Sequence, residues 1–331
     1  MIGRNDLWAV VPVAGFGSRL RPHTYTRPKP LLSVAGQPII GHILDQLVPL
    51  GVRRIVLVVG YMGEQIVDYV KSRRDFEQVE WVEQEEQLGL GHAIALTRAV
   101  VNDDPMLMVY GDTIFHADLP SLLTDNGSGL LGIKRVDDPR RFGVVVRDGI
   151  RVTKLVEKPD EFVSDQAIVG VNYIRDSSHL YRCLDGLLND QKRSLGEYQL
   201  TDALQMMVEQ GANLGSFPVD NWFDCGTKET VLETNRYLLK GNEVSATDGR
   251  FVVVPPVYIH SSAQIESSVI GPYVSVGAEA CVCNSVMRNA IVGEQAVVES
   301  ALVEDSLIGF QSRLKGSWGR FDISDLSEII T

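Results

Sequence analysis

From residue 251 onward, aliphatic residues recur at a fixed spacing, and this spacing limits the possible fold more than any other feature of the chain. Successive positions are six residues apart, or ten where a four-residue insertion fits between two faces. A six-residue period is typical of the left-handed parallel β-helix, whereas a small β-sandwich would alternate with a period of two. We therefore predict a β-helix domain at residues 251–331. The recurring positions are Ile270, Val276, Val282, Val292, Val298 and Ile308.

Before this repeat, short apolar strands alternate with amphipathic helices. The order strand, loop, helix, strand is typical of a doubly wound, mostly parallel Rossmann-like α/β sheet, whose ligands lie outside the carboxyl ends of the strands. We predict a catalytic domain at residues 1–243 and a polar linker at residues 240–250. The predicted strands cover residues 8–14, 54–59, 79–82 and 106–110, and the predicted helices cover residues 63–71 and 91–101.

Composition limits the class of protein and its partners. The 331 residues are 44% hydrophobic and 22% charged, an ordinary globular composition, and the formal net charge is -12. This acidic balance disfavours nucleic acid as a partner, because phosphate backbones need broad basic surfaces. Apolar runs are too short to span a membrane, and no basic region precedes a hydrophobic signal core. The four cysteines show no CxxC spacing. We expect a cytoplasmic protein with reduced thiols and no membrane partner.

A basic loop follows the first predicted strand. Its sequence from residue 15 to residue 34 is GFGSRLRPHTYTRPKPLLSV, and no acidic residue lies between Leu7 and Leu44. In an acidic chain, cations that line a cleft still bind an anion, because exposed charges are screened beyond roughly 8 Å. A bare GxG is an ordinary turn, but the full string indicates a polyphosphate site.

Each residue type in this loop suits a phosphate ligand. Gly15 and Gly17 let phosphate approach the main chain, where consecutive backbone N–H groups bind anions. Arg19 offers a planar fork and Lys29 a compact charge. We expect the flanking prolines to hold the lysine segment extended.

Two aspartates follow apolar strands far apart in the sequence. Asp112 lies in YGDTIF and Asp224 in NWFDCGT. Carboxylate ligands at strand ends suit Mg²⁺, which takes few protein ligands together with water and substrate phosphates. We predict that the two aspartates hold one Mg²⁺ ion, although either residue alone is also a common turn former.

Two further segments carry polar groups suited to the rest of a nucleotide-sugar reaction. Glu157 can accept hydrogen bonds from sugar hydroxyls and Lys158 can meet a second phosphate, although an exposed charged strand end is the simpler interpretation of these residues alone. Gln84 precedes LGLGHA, where Gly89 opens a helix, and an amide with turn N–H groups can bind the edge of a pyrimidine. His92 is more consistent with packing at the helix start than with catalysis.

Taken together, several motifs resemble the sugar-1-phosphate nucleotidyltransferases, also called nucleotide-sugar pyrophosphorylases. They are GFGSRLRPHTYTRPKP, GYMGEQI, LGLGHA, YGDTIF, FGVVV, VEKP, GEYQLTDAL and WFDCGT. The resemblance implies that a sugar 1-phosphate attacks the α-phosphate of a nucleoside triphosphate and releases pyrophosphate. It also implies the following roles: phosphate-binding and catalytic cations at Arg19 and Lys29, magnesium ligands at Asp112 and Asp224, nucleotide contacts at Gly15, Gly17, Gln84 and Gly89, and a sugar-phosphate pocket at Gly143, Glu157 and Lys158.

The nucleobase and the sugar are open within this resemblance. The predicted β-helix tail resembles long-form glucose-1-phosphate thymidylyltransferases, whereas Pro12 and the string GLGHA resemble UTP-glucose-1-phosphate uridylyltransferases. Thr113 stands where several thymidylyltransferases have asparagine. We favour dTTP and glucose 1-phosphate, with UTP as the alternative nucleotide.

Two other classes of function are weighed against this one. A catalytically silent, nucleotide-sugar-sensing regulatory subunit could share the fold, but here both aspartates and both cations are present. Acyl transfer by the β-helix normally needs a histidine base, and His260 is the only histidine after residue 250. We prefer a packing role for the tail and predict a homo-oligomer, because exposed coil edges commonly pair with another chain.

Overall fold

The computed structural model describes residues 7–123, 126–241, 249–316 and 318–330. The chain divides into two compact units, each built from two stretches of sequence. The first unit comprises Met1–Gly15 and Ile43–Trp222, and the second unit comprises Phe16–His42 and Phe223–Thr331. Residues 16–42 therefore group with the C-terminal part of the chain. The domain boundary between residues 243 and 251 stays a prediction, and most of the predicted linker lies outside the described residues.

The elements before residue 241 follow the predicted alternation of strands and helices. The strands are β1 (Trp8–Pro12), β2 (Ser33–Val34), β3 (Gln37–Pro38), β4 (Arg54–Val59), β5 (Gln78–Glu83), β6 (Met106–Val109), β7 (Thr113–His116), β8 (Gly129–Arg135), β9 (Gly143–Asp148), β10 (Arg151–Glu157), β11 (Gln166–Ile174), β12 (Leu214–Pro218) and β13 (Asn221–Asp224). The α-helices are α1 (Ile39–Leu47), α2 (Gly63–Arg73), α3 (Leu90–Leu96), α4 (Arg98–Val101), α5 (Leu119–Leu122), α6 (Ser177–Asn189), α7 (Leu200–Glu209) and α8 (Lys228–Leu239). Among the described residues, no helix has the length and apolar composition needed to span a membrane.

A mixed sheet forms the centre of the first unit, in the strand order β5-β4-β1-β6-β11-β8-β12-β10-β9. The first four strands are parallel. From β11 onward, antiparallel pairs dominate, and only β8 and β12 are parallel. The prediction of a mostly parallel sheet is therefore correct for one half and wrong for the other. For β9 and β10 the physical reason is local: two residues, Gly149 and Ile150, join these strands, and such a short turn can connect only antiparallel strands.

Apolar side chains explain why these strands and helices pack together. In β4, every residue from Ile55 to Val59 is buried, as expected for β-branched and aliphatic residues at the centre of a sheet. Helices α3, α6 and α7 place Ile94, Leu184 and Leu204 in the same core cluster as the strands. Full burial of each such side chain contributes about 1.5–3 kcal/mol. This core fixes the strand ends on which the site residues of the first unit lie.

The carboxyl ends of β1 and β6 bring two predicted site segments to one edge of the sheet. The strands are parallel neighbours, with Val10 opposite Met108. Beyond their ends, the amide of Gly111 donates to the carbonyl of Pro12 at 3.2 Å. Gly15 and Asp112 therefore leave the sheet on the same side, as predicted from the order of strands.

The C-terminal residues form short parallel strands in three stacks. The strands are β14 (Val252–Val253), β15 (Val257–Ile259), β16 (Gln264–Glu266), β17 (Val269–Ile270), β18 (Val274–Val276), β19 (Cys281–Cys283), β20 (Val286–Val292), β21 (Val297–Glu299), β22 (Leu302–Ile308), β23 (Arg313–Lys315), β24 (Trp318–Gly319), β25 (Asp322–Ile323) and β26 (Glu328–Ile330). One stack contains β16, β19, β21, β23 and β26. The other two share the long strands β20 and β22, which pair with different neighbours along their two halves.

The strand register and the turns give the coil length. Partners in adjacent strands are 17 residues apart at Val257 and Val274, 16 apart at Val276 and Val292, and 15 apart at Ile308 and Ile323. Non-glycine residues with left-handed φ recur every five or six residues, between the strands at Ser267, Tyr273, Glu279, Asn284, Gln295, Ser300 and Gln311 and within the long strands β20 and β22 at Asn289 and Asp305. The six periodic aliphatic residues named from the sequence are all buried in one core cluster. These parallel coils are consistent with a β-helix.

Candidate functional site

Residues 16–31 of the basic loop lie in the second unit and are folded into 3-10 turns. The turns cover Ser18–Leu20, His23–Tyr25 and Lys29–Leu31. Pro28 is extended, with ψ 146°, but the lysine segment after it is not, so that prediction is wrong beyond Pro28. The amide of Leu31 donates to the carbonyl of Pro28 at 2.9 Å and closes a turn. Proline fits the first turn of a helix, so Pro30 does not oppose this geometry.

Gly17 brings the two ends of the basic loop together. Its φ is 62°, a conformation that favours glycine, and a Cβ at this position would lie 3.0 Å from both the Lys29 Cβ and the Thr24 Cγ2. The Thr24 hydroxyl donates to the Gly17 carbonyl at 3.0 Å. The glycine predicted to let phosphate approach therefore also lets Lys29 pack against the start of the loop.

Three charged side chains of the second unit converge around Gly226, and we call Arg19, Lys29 and Asp224 the cation cluster. The Lys29 Nζ lies 3.7 Å from the Asp224 Oδ1. A Cβ on Gly226 would lie 2.9 Å from the Arg19 Nη2 and 3.0 Å from each Asp224 carboxylate oxygen. Arg19 and Lys29, predicted from the start of the chain, therefore lie close to Asp224, which follows them by about two hundred residues.

Burial differs within the cation cluster and defines its chemistry. The Lys29 side chain is only 10% exposed and that of Asp224 is 35% exposed, whereas Arg19 is exposed. A buried ammonium is costly unless an anion lies close to it, and Asp224 supplies that charge. The cluster combines a compact buried cation with an exposed guanidinium, which are the two donor types that bind phosphate oxygens.

The carboxylates of Asp112 and Asp224 fit the donor chemistry of Mg²⁺. Both residues are partly exposed, and neither is buried against apolar neighbours. The Thr113 hydroxyl donates to the Asp112 Oδ1 at 3.3 Å. Within the part of the chain that the structure describes, no group of three or more His, Cys, Asp or Glu side chains is arranged to hold a metal ion. Asp112 lies in the first unit and Asp224 in the second, so their sharing of one ion stays a prediction.

A second group of predicted residues lies at the end of β5 in the first unit. Gln84 is buried, and its Nε2 donates to the Gly89 carbonyl and to the His92 Nδ1, each at 3.1 Å. Burial lowers the pKa of His92, which keeps the imidazole neutral and its Nδ1 able to accept that bond. The hydrogen bonds fix the amide plane of Gln84 beside the turn at Gly89. Because both amide hydrogens are used within the protein, a contact between Gln84 and a nucleobase stays a prediction.

The turn at Gly89 is held by a segment more than one hundred residues away in the sequence. A Cβ on Gly89 would lie 2.7 Å from the Tyr198 carbonyl oxygen and 2.8 Å from the Glu197 Cβ. The amide of Tyr198 donates to the Leu88 carbonyl at 2.8 Å. With φ at 103°, the position needs glycine for its backbone and for its neighbours.

The predicted sugar-phosphate residues meet at the end of β10. The Thr201 hydroxyl donates to the Glu157 Oε2 at 2.6 Å, and the Lys158 Nζ lies 3.6 Å from the Glu157 Oε1. A Cβ on Gly143 would lie 2.8 Å from the Glu157 Oε2. The Glu157 side chain is 11% exposed, so its orientation is fixed by these neighbours rather than by solvent. The simpler interpretation of an exposed, charged strand end is therefore wrong for Glu157, whereas Lys158 is exposed as that interpretation expects.

Tyr110 connects the electrostatics of two site residues of the first unit. Burial raises the pKa of Tyr110, and the negative charges of Glu157 and Asp112 raise it further. The phenol therefore stays protonated. Its shift indicates that Glu157 and Asp112 act on a common region of the first unit.

Sequence reasoning missed two positions that shape these groups. Thr201 orients Glu157, and Gly226 leaves the space in which the cation cluster converges. Both lie in quoted motifs, GEYQLTDAL and WFDCGT, but no role was assigned to either residue. The available signals were Thr201 at the start of an amphipathic helix and Gly226 two residues after the predicted metal ligand Asp224.

Comparison with known proteins places the chain in a family. The family of nucleotidyl transferases matches residues 8–241. Because this match covers more than half of the chain, the chain belongs to the nucleotidyl transferase family. The matched residues include every residue singled out above as a candidate for the site.

Three curated relatives show how the similarity is distributed. The chain is 32% identical to the "Bifunctional protein GlmU" of Methanococcus vannielii, over 93% of this chain and 72% of the relative. Over 91% of each chain, it is 30% identical to the glucose-1-phosphate thymidylyltransferase of Streptomyces antibioticus. Over 70% of this chain and 96% of the relative, it is 34% identical to the UTP–glucose-1-phosphate uridylyltransferase AglF of Haloferax volcanii. The names of the last two relatives therefore differ in the nucleotide, thymidylyl in one and uridylyl in the other.

Proposed function

We propose that this protein is a sugar-1-phosphate nucleotidyltransferase that joins dTTP and glucose 1-phosphate and releases pyrophosphate. The observation that carries the proposal is the convergence of Arg19, Lys29 and Asp224 around Gly226. A buried lysine beside an exposed arginine matches the need to neutralise a triphosphate as charge develops on its α-phosphate. Membership of the nucleotidyl transferase family supports the same reaction class.

The residues of the chain act by binding and orientation. The attacking sugar phosphate is already ionised, so no general base is required of the protein. Arg19 and Lys29 offset the repulsion between two anionic substrates, and Gly15 and Gly17 allow the phosphates to approach the backbone. Gln84 and Gly89 orient the base, while Gly143, Glu157 and Lys158 bind the sugar phosphate.

We assign the magnesium ligands to Asp112 and Asp224, since carboxylate oxygens are the donors that Mg²⁺ prefers. When bound, Mg²⁺ supplies positive charge to the substrate phosphates. The remaining electrostatic stabilisation comes from Arg19 and Lys29.

UTP is the alternative nucleotide, and the relatives support both bases. The relative from Streptomyces antibioticus aligns along nearly the whole chain, including its C-terminal coils, and carries the thymidylyl name. The relative from Haloferax volcanii is more identical but aligns over 238 residues only. Thymine and uracil differ by one methyl group, which is worth about 1–3 kcal/mol in a shaped pocket. We therefore expect dTTP to be preferred and UTP to be used more slowly.

A substrate panel tests this proposal directly. Initial rates of pyrophosphate release are measured with dTTP, UTP, CTP, GTP and ATP, each combined with glucose 1-phosphate or its 4- or 2-epimer. We expect the highest kcat/KM for dTTP with glucose 1-phosphate. A higher kcat/KM for UTP would establish the alternative, and a different preferred epimer would correct the sugar. No release with any pair would favour the catalytically silent regulatory subunit.

For the C-terminal coils we propose a left-handed β-helix that packs and oligomerises rather than catalyses. The parallel register of 15–17 residues and the left-handed turns support the β-helix. His260 forms a local contact of 2.8 Å with the Ser262 hydroxyl in the first coil. Light scattering is expected to give a homo-oligomer, and an acetyl-CoA turnover assay is expected to be negative. We place the reaction in the cytoplasm, where its nucleotide substrates occur.

A further inference from the structure

The basic loop contacts the last coils of the chain at two aspartates. The His23 Nε2 lies 2.6 Å from the Asp322 Oδ1, and the Thr26 hydroxyl donates to the Asp325 Oδ2 at 2.5 Å. Both pairs are 299 residues apart in the sequence. His23 and Thr26 lie between Arg19 and Lys29 along the chain, so the coils hold the loop between its two site cations.

Asp325 joins this contact to the body of the coils. Its Oδ1 accepts a hydrogen bond from the Phe310 amide at 2.6 Å while its Oδ2 accepts from Thr26. Arg27 adds a third contact, with its guanidinium carbon 5.3 Å from the centre of the Phe310 ring and its Nη2 3.8 Å from the Glu294 Oε2. Three loop residues thus bind to three successive turns of the coils.

Burial links this contact to the cation cluster. His23 is buried, with a side chain only 6% exposed. The neighbouring Thr24 is also buried and donates to the Gly17 carbonyl, and Gly17 in turn packs against Lys29. A displacement of His23 would therefore be passed through Thr24 and Gly17 to Lys29.

The secondary structure of the basic loop explains why contacts from outside it matter. It consists of single 3-10 turns, which are short and have poorer hydrogen-bond geometry than α-helices. Cations stabilise a transition state effectively only when they are held in place before the reaction. Contacts with the coils supply that order from outside the loop.

We propose that the C-terminal coils hold the basic loop in its working conformation, with Asp322 and Asp325 as positioning residues for the cation cluster. Neither aspartate is assigned a contact with substrate. The catalytic consequence rests on the proposed function, whereas the structural consequence, an ordered loop, does not.

Hydrogen exchange of the loop amides tests the proposal without substrate. The amides of Leu20, Tyr25 and Leu31 form the hydrogen bonds of the three turns. In the double variant Asp322→Ala/Asp325→Ala we expect their exchange to accelerate about tenfold or more, since the loop opens locally. The milder variant Thr26→Val removes the exposed hydrogen bond from Thr26 to Asp325. It should accelerate the exchange of the loop amides less, and only within the basic loop.

The matched control removes two glutamate ion pairs of the coils that do not involve the loop. Glu299 pairs with Lys315 at 3.0 Å and Glu328 with Arg313 at 3.7 Å, both within the coils. Exchange in the loop should stay at the wild-type rate in Glu299→Ala/Glu328→Ala. Equal loop exchange in the wild type, the Asp322/Asp325 double variant and Thr26→Val would overturn the proposal.

Kinetics then separates positioning from the proposed reaction. In Asp322→Ala/Asp325→Ala we expect kcat/KM to fall about tenfold or more, mainly through a higher KM for the nucleotide, because misplaced cations bind the triphosphate less well. Asp322→Asn should restore most of the loss at that position, since its Oδ1 still accepts a bond from His23. Unchanged kinetics in an active enzyme would overturn the catalytic part. Faster loop exchange in a chain that is inactive with every substrate pair would leave the positioning intact and overturn only the proposed function.

Discussion

The two units of the molecule place their site residues by different means. In the first unit, Asp112 and Glu157 lie at or just beyond strand ends, and close neighbours such as Thr113 and Thr201 orient them. In the second unit, Arg19 and Lys29 lie on a loop of 3-10 turns that is held by residues about three hundred positions away. The carboxylates of the sheet are thus oriented by threonines packed beside them, whereas the loop that carries Arg19 and Lys29 is held through contacts with the opposite end of the chain.

The largest expected effect is the loss of one carboxylate charge in the first unit. Asp112→Asn should lower kcat for pyrophosphate release by about 10³-fold, because it removes a metal-ligand charge while keeping the volume of the side chain. Asp112 is partly exposed, so the melting temperature should stay within about 2 °C of wild type. Asp148→Asn, an exposed aspartate at the end of β9, is the matched control. Turnover like that of the wild type in Asp112→Asn would remove this residue from the site.

A smaller effect is expected from filling the space inside the cation cluster. In Gly226→Ala the new methyl group would lie 2.9 Å from the Arg19 Nη2 and 3.0 Å from the Asp224 oxygens, so these side chains must shift. We expect kcat/KM to fall about 10- to 100-fold, because a displacement near 1 Å is enough for such a loss. In the control Gly186→Ala, in α6, the new methyl group would lie 3.3 Å from the end of the Met206 side chain, and kcat/KM should not change. Equal activity of Gly226→Ala and Gly186→Ala would show that the reaction tolerates a displacement of Arg19 and Asp224.

A local change in the first unit should have a still smaller and more specific effect. Thr201→Val removes the 2.6 Å hydrogen bond to Glu157 and leaves the carboxylate free to rotate. We expect the KM for the sugar 1-phosphate to rise about 5- to 10-fold, equivalent to about 1 kcal/mol, with little change in kcat. Thr153→Val, whose hydroxyl donates to the Val146 carbonyl on the exposed side of the sheet, should leave the KM unchanged. A rise in the KM for dTTP instead would place Glu157 near the nucleotide.

The smallest effect concerns the pH dependence of stability. Burial lowers the pKa of His92 from 6.5, so the folded protein takes up its proton at a lower pH than the unfolded chain does. Stability from this residue is therefore present at neutral pH and falls as the pH drops through the ordinary histidine range. Urea unfolding at pH 7 and pH 5.5 should show a smaller loss of stability in His92→Asn than in the wild type. An equal loss in both proteins would contradict the assigned cause.

Local sequence order predicts the parallel half of the sheet in the first unit. The alternation of strands and helices places Asp112 and Gln84 correctly at strand ends, because parallel neighbours share one edge of a sheet. The spacing of apolar residues alone cannot report strand direction, and the short turn at Gly149 sets the antiparallel pairing of β9 with β10 only. For the same reason, the role of Thr201 beside Glu157 depends on a contact between distant segments and has no local signal.

The second unit is less accessible to sequence reasoning. Six-residue spacing correctly identifies the buried positions of the coils, since the repeat itself carries the information. The contacts of His23 with Asp322 and of Thr26 with Asp325 join opposite ends of the chain and follow no period. The 3-10 turn at Lys29 likewise depends on how the loop packs rather than on its prolines. The basic loop can thus be recognised from its own residues, but the residues that contact it cannot be predicted from the sequence.

Titration calorimetry of dTTP measures whether the cation cluster binds the triphosphate. Wild type, Lys29→Met and Glu157→Gln are titrated with dTTP in the presence of Mg²⁺ and without sugar phosphate. The account predicts that Lys29→Met weakens binding about 10- to 100-fold, as expected for loss of a charge-assisted contact, while Glu157→Gln changes it less than about threefold. Binding of dTTP to Lys29→Met with the affinity of the wild type would contradict the account.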